Sequence, residues 1–96
     1  MGEAAVYPDG NPELSVVIPM YNEGENARRT ADLVCATLRQ AGLSFEVICV
    51  DDGSTDETRK ELEQAAKAVQ EVRIVSYIPN RGRGHALRKG LEAAEG

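Results

Sequence analysis

The chain of 96 residues predicts an α/β fold, a parallel three-stranded sheet in the order βαβαβα with helices on both faces, making three layers. Three observations predict it. Apolar runs rich in β-branched residues recur at Leu14–Met20, Phe45–Val50 and Val72–Ile78, as strands covered on both sides require. Stretches with apolar residues at helical spacing follow each run. The connections are short and carry Gly, Asn, Asp and Pro, which favours parallel strands joined by right-handed crossover helices.

Residues 1–13 are polar and turn-forming, with Pro8, Gly10 and Pro12. They predict a disordered leader before a single domain over residues 14–96. The leader lacks the basic start and apolar core of a signal peptide. It only loosely resembles a myristoylation signal, since Val6 stands where Ser or Thr belongs. LSVVIPM (Leu14–Met20) is the first strand, and Pro19 removes a ladder donor near its end. Asn22–Asn26 turns into a helix with acids in its first turn. Ala27, Ala31, Val34, Cys35 and Leu38 repeat at helical spacing, and Gly42 marks the stop.

The second strand, Phe45–Val50, is interrupted only by Glu46 and ends abruptly at Asp51 and Asp52, before a turn through Gly53. Ser54-x-x-Glu57 matches a capping box. The helix behind it extends to about Gln70, with Leu62, Ala65, Ala66 and Val69 inward. Val72–Ile78 alternates most clearly of the three strands. Asn80–Gly84 is a glycine-punctuated loop, and His85–Ala94 is the third helix.

Size and charge restrict the function. A domain this small hides only roughly 60–65% of its unfolded surface. Its three-stranded sheet would leave long apolar edges, which natural folds pair or cover. The chain is therefore expected to be the opening part of a larger domain, or to cover its edges with a second copy as a homo-oligomer. A net charge of −5 excludes a general nucleic-acid binder. Yet Pro79–Lys89 holds Arg81, Arg83, Arg88 and Lys89 with no acid, a local basic segment suited to a specific anion. Cys35 and Cys49 lie in apolar patterns and read as reduced core thiols, which fits the cytoplasm. No stretch approaches the about 18–20 apolar residues of a membrane span.

Asp51 and Asp52 are expected to stay out of the core, because burying two like charges side by side is costly. They need water, backbone donors, a cation or a ligand. A parallel sheet brings Pro19–Glu23, Asp51–Ser54 and Asn80–Gly84 to one edge, where open α/β sheets bind ligands. Each segment alone also fits a plainer reading: a strand end feeding a helix, a turn whose carboxylates cap the next helix, a solvated basic loop. Together they suit a nucleotide. A carboxylate accepts hydrogen bonds from base or ribose, and Tyr21 packs against a ring. Backbone amides of Gly82 and Gly84 at a helix N-terminus are anion donors, and Arg81 and Arg83 add charge-assisted bonds to a diphosphate. His85 reads as a polar helix-start residue, and Arg88 and Lys89 as surface groups.

SVVIPMYNE, VICVDDGSTDET and NRGRGHALRKGLEAAEG together resemble the start of family 2 glycosyltransferases of the GT-A (Rossmann-like) fold. The spacing of Asn80, Gly82, Gly84, Ala86 and Gly90 is similar to that in polyprenyl- and dolichyl-phosphate mannose and glucose synthases. The resemblance covers Ser15–Gly96. It implies the truncated nucleotide-binding half of an enzyme that transfers a sugar, with inversion, from a nucleotide-diphosphate donor such as GDP-mannose or a UDP-sugar. It also implies a polyprenyl or dolichyl phosphate acceptor and a place at the cytoplasmic face of a membrane.

By the same resemblance Pro19, Tyr21 and Glu23 line the nucleoside pocket. Asp51 and Asp52 contact base and ribose, and the loop carrying Gly82, Arg83 and Gly84 closes over the nucleotide. The implied Mg²⁺ or Mn²⁺ is held by an Asp-x-Asp motif expected beyond Gly96, together with the catalytic residues, so the isolated chain is expected to be inactive. Beside this stands a non-catalytic nucleotide-binding fragment. A receiver-type phosphoacceptor module fits poorly, because it needs an acidic pair at the first strand and an aspartate after the third, where Ile78-Pro79-Asn80 stands. A dinucleotide binder needs its glycine fingerprint after the first strand, where Tyr21-Asn22-Glu23-Gly24 stands.

Overall fold

The computed structural model describes residues 10–95. Strand β1 (Leu14–Met20), helix α1 (Glu25–Gln40), β2 (Phe45–Asp52), α2 (Thr58–Ala68), β3 (Val72–Tyr77) and α3 (Arg83–Ala93) follow in the expected order. Both strand pairings are parallel and β2 is central, giving the order β1-β2-β3. The register sets Pro19 opposite Val50 and Asp52 opposite Tyr77. All three strands therefore end at one edge.

Side-chain alternation along β2 divides the core in two. Phe45, Val47 and Cys49 face Ala27, Ala31 and Cys35 of α1 and Leu62 and Ala65 of α2. Ile48 and Val50 face Ala86 of α3, with Val17 and Val75 packed alongside. The result is the three-layer α/β/α arrangement. Every residue of β2 is buried, which is why its sequence is a run of apolar residues rather than an alternation. Helix α3 lies close to the sheet at Gly90, where a Cβ would stand 2.2 Å from Val17 Cγ1.

Glu46, the polar interruption of that run, is 1% exposed. It accepts hydrogen bonds from Arg73 Nη1 at 2.6 Å, from the Glu95 backbone N–H at 2.6 Å and from the Ser15 hydroxyl. Arg73 Nη1 also donates to the Ala93 carbonyl at 2.9 Å, so this ion pair, buried at the carboxylate and exposed at the guanidinium, ties down the C-terminal end of α3. A buried carboxylate is tolerable only when paired and hydrogen-bonded in this way.

Several boundaries differ from those expected. Strand β2 continues past Val50 through both aspartates. The capping box does not form: α2 starts at Thr58, its N-cap is Glu57, and no side chain caps it. Ser54 is engaged elsewhere, and Asp56 Oδ1 instead accepts the Thr58 N–H at 2.9 Å, an Asx-type turn that competes with capping. Helix α3 begins at Arg83, two residues before His85. Of the expected leader, residues 1–9 lie outside the described residues. Pro12 is buried, and Glu13 exchanges hydrogen bonds with Ser44.

Cys35 and Cys49 are free and buried. Burial pushes their thiols up to about 11 and about 12 respectively.

Candidate functional site

Where the strands end, three loops meet. The loop after β1 is stitched to the loop after β2: Asn22 N–H donates to Ser54 Oγ at 3.0 Å, Thr55 N–H donates to Asn22 Oδ1 at 2.8 Å, and Gly24 N–H donates to Thr58 Oγ1 at 2.9 Å. Asn22 reaches this position with φ of 50°, a left-handed value that asparagine tolerates better than most residues. The loop after β2 turns through Gly53, at φ of 70°. A Cβ there would lie 2.2 Å from Asn80 N and 2.5 Å from Pro79 C. Only a glycine lets the backbone of the loop after β3 pass this close.

The two aspartates are 2% and 3% exposed, so the expectation that they stay out of the core is corrected. Successive strand residues point to opposite faces, which keeps the two charges apart, and each is met by protein donors. Asp51 Oδ1 accepts the Ser54 N–H at 3.0 Å. Asp52, on the α3 face, accepts from Tyr77 Oη at 2.6 Å and Arg81 N at 2.9 Å on Oδ1. Its Oδ2 accepts from Asn80 Nδ2 at 2.8 Å and Gly82 N at 3.1 Å.

Desolvation pushes the Asp52 carboxyl up. The hydrogen bonds from Tyr77, Arg81 and Gly82, with His85 nearby, outweigh it and hold the carboxyl below the usual carboxylate range. Tyr77 responds in the opposite sense: burial and the Asp52 charge push its hydroxyl up to about 12. The Tyr77 ring stands edge-on to His85, with centroids 5.1 Å apart.

A cleft of about 380 Å³ opens at this edge, lined by Pro19, Met20, Tyr21, Glu23, Asp52, Asn80, Gly82 and Arg83. Six of the eight residues singled out from the sequence thus come together: Pro19, Tyr21, Glu23, Asp52, Gly82 and Arg83. Asp51 and Gly84 do not line it. Asp51 is turned to the other face of the sheet, and Gly84 sits inside α3. Met20 joins the lining as the last residue of β1. Asn22, Ser54, Thr58 and Tyr77 were not singled out as site residues, yet they hold the loops. Their only sequence signal is position, at or just beyond a strand end or, for Thr58, at a helix start.

Among the described residues no group of three His, Cys, Asp or Glu side chains could hold a metal ion. Asp52, the one buried acid in the cleft, is surrounded by hydrogen-bond donors, the reverse of the oxygen-rich set that Mg²⁺ or Mn²⁺ takes. These residues do not fit the metal. No helix among them is long and apolar enough to cross a membrane.

The layers and the cleft define a Rossmann-like α/β domain that offers a ligand site where open parallel sheets place theirs. The chain belongs to glycosyl transferase family 2, whose model matches residues 15–96. It is 36% identical over 86 residues to an undecaprenyl-phosphate 4-deoxy-4-formamido-L-arabinose transferase of Proteus mirabilis, covering 88% of this chain and 26% of that protein. Human dolichyl-phosphate beta-glucosyltransferase is 34% identical over 102 residues, covering 96% of this chain and 31% of that protein. Among solved structures, the mannosyltransferase PcManGT from Pyrobaculum calidifontis in complex with GDP-Man and Mn²⁺ matches with a TM-score of 0.61 and 27% identity. The match covers 98% of this chain and 28% of that one. The chain thus spans about a quarter to a third of the length of the proteins it matches. The GT-A fold expected from the sequence is the fold observed.

Proposed function

We propose that this chain is the donor-recognition part of a glycosyltransferase that moves a hexose, with inversion, from a nucleoside-diphosphate sugar to a polyprenyl or dolichyl phosphate. The observation that carries the reading is the cleft at the carboxyl edge, where Tyr21, Glu23 and Arg83 converge on one space. Tyr21 is 48% exposed and free to stack on a base. Glu23 supplies an acceptor for base or ribose, and Arg83 at the start of α3 supplies charge for a diphosphate. The similarity to dolichyl- and undecaprenyl-phosphate sugar transferases supports the lipid-phosphate acceptor, and the GDP-Man complex of the structural neighbour supports the donor class.

Divalent metal use by the full enzyme is part of the same proposal, with ligands supplied from outside these 96 residues. Transfer by the chain alone is accordingly absent in this reading, which places the working enzyme at the cytoplasmic face of a membrane. Calorimetry of the chain against GDP, UDP and their sugars tests the proposal. The expected result is saturable nucleotide binding that changes little when Mn²⁺ is added. No binding at millimolar nucleotide overturns it.

A further inference from the structure

We propose that Asn22 is a positioning residue of the cleft: it joins the loop after β1 to the loop after β2, and so fixes Tyr21 and Glu23, its neighbours on either side. That these two meet a nucleotide rests on the proposed donor site; that Asn22 holds them does not.

The last register pair between β1 and β2 is Met20 opposite Asp51. Residues 21–24 lie beyond that ladder, yet they carry two exposed side chains of the cleft lining, Tyr21 and Glu23. Asn22 itself does not line the cleft. Its backbone N–H donates to Ser54 Oγ at 3.0 Å, and its side-chain Oδ1 accepts the Thr55 N–H at 2.8 Å. One residue thus both donates to the neighbouring loop and accepts from it, as a further rung of the ladder would.

The backbone around Glu23 depends on the same stitch. Asn22 has φ of 50° and Gly24 has φ of 56°, so left-handed residues stand on both sides of Glu23. Such a course belongs to no regular element and has to be held from outside. Gly24 N–H donates at 2.9 Å to Thr58 Oγ1, on a fully buried residue at the start of α2. Glu23 is therefore gripped before and after, each time by the segment that joins β2 to α2. Of these two anchors, Asn22 is the one whose own side chain carries a bond. A ligand that needs Tyr21 and Glu23 together gains affinity when their backbones are set in advance.

Two variants of the 96-residue chain test this, read by hydrogen exchange at the Thr55 and Gly24 amides and by GDP and UDP affinity from calorimetry. Asn22→Gly keeps the left-handed turn and removes the Oδ1 acceptor. The expected result is faster exchange at both amides, unchanged exchange at Val47–Val50, and nucleotide affinity lower by about five-fold, the scale of one hydrogen bond. Asn22→Asp keeps an acceptor in the same place and tolerates the same φ. In added salt, which screens the new charge, its exchange and affinity should lie within about two-fold of wild type. Unchanged Thr55 exchange in Asn22→Gly overturns the proposal, and so does wild-type affinity in that variant once Thr55 is released. Affinity lost in Asn22→Asp with Thr55 still protected also overturns it, because the carboxamide would then touch the nucleotide itself. A wild-type chain that binds neither nucleotide sinks the proposed donor site, while exchange at Gly24 still decides whether Asn22 holds the segment.

Discussion

Replacing Gly53 with alanine tests the closest backbone approach in the site. The added Cβ would stand 2.2 Å from Asn80 N, 2.5 Å from Pro79 C and 2.7 Å from Asn80 Cα. Reaching an ordinary 3.4 Å contact moves that loop back by 3.4 − 2.2 = 1.2 Å. Such a shift carries the Asn80 Nδ2 bonds to Asp52, now 3.0 and 2.8 Å, beyond hydrogen-bonding range. The alanine also adopts φ near 70°, at a cost of about 1–2 kcal/mol, and overpacking adds about 1–3 kcal/mol. We expect a total near 3 kcal/mol, which lowers Tm by roughly 12–24 °C in a domain of this size.

Gly42→Ala is the control. Gly42 has φ of 74°, but a Cβ there meets nothing within 4 Å, so it pays the conformational cost alone. Thermal unfolding of both variants beside wild type separates the two effects. If Gly53→Ala melts no lower than Gly42→Ala, the loop after β3 does not pass against Gly53, and the geometry described for the site is wrong.

Two further outcomes follow from the buried titratable groups. Asp52 is held below its ordinary value of 3.8, so near that pH the unfolded chain binds more protons than the folded one and stability rises with pH. The Asp52 contribution is full above pH 3.8 and is lost as pH falls through the lower, folded value. Asp52→Asn should flatten that acid limb in pH-dependent urea melts, and an unchanged limb contradicts the network around it. The two thiols, pushed up to about 11 and about 12, should resist a disulfide exchange reagent at pH 8 and react together once urea unfolds the chain. Rapid labelling of either thiol in the native chain contradicts its burial.

The layered fold was legible because the strongest signals here are local and agree with one another. Strand β2 carries Phe45, Val47, Ile48, Cys49 and Val50 without a polar face, which leaves it no position but the centre. Helix α1 carries its buried Ala27, Ala31 and Cys35 at helical spacing. The cleft was legible in outline, since parallel strands must end together. What could not be read was how each polar group near the edge is satisfied. Ser54 looked like a helix cap by its spacing from Glu57, but it accepts a hydrogen bond from Asn22, 32 residues away. Asp51 and Asp52 looked too charged to bury. Apart from the Ser54 N–H that Asp51 accepts, the donors that make burial possible lie 25 to 30 residues on, at Ser76, Tyr77 and Asn80–Gly82. Such long-range pairings carry no periodic signal.

Those pairings bear on how recognition and chemistry would be divided in the proposed transferase. The contacts that shape the cleft join Asn22 to Ser54 and Thr55, Gly24 to Thr58, and Asp52 to Asn80, Arg81 and Gly82. Each spans a crossover between successive strands, and all lie within the six elements from β1 to α3. At its other end α3 is fixed by the Glu46–Arg73 pair, on the same face of β2 as Asp52. Two buried acids on one strand thus anchor the two ends of the helix whose start carries Arg83. A cleft held this way is pre-organised, so it does not have to order loops when a nucleotide arrives. If the proposed function holds, donor affinity should therefore reside in these elements and persist in the chain alone. Turnover, which requires charge stabilisation on the departing diphosphate, should not.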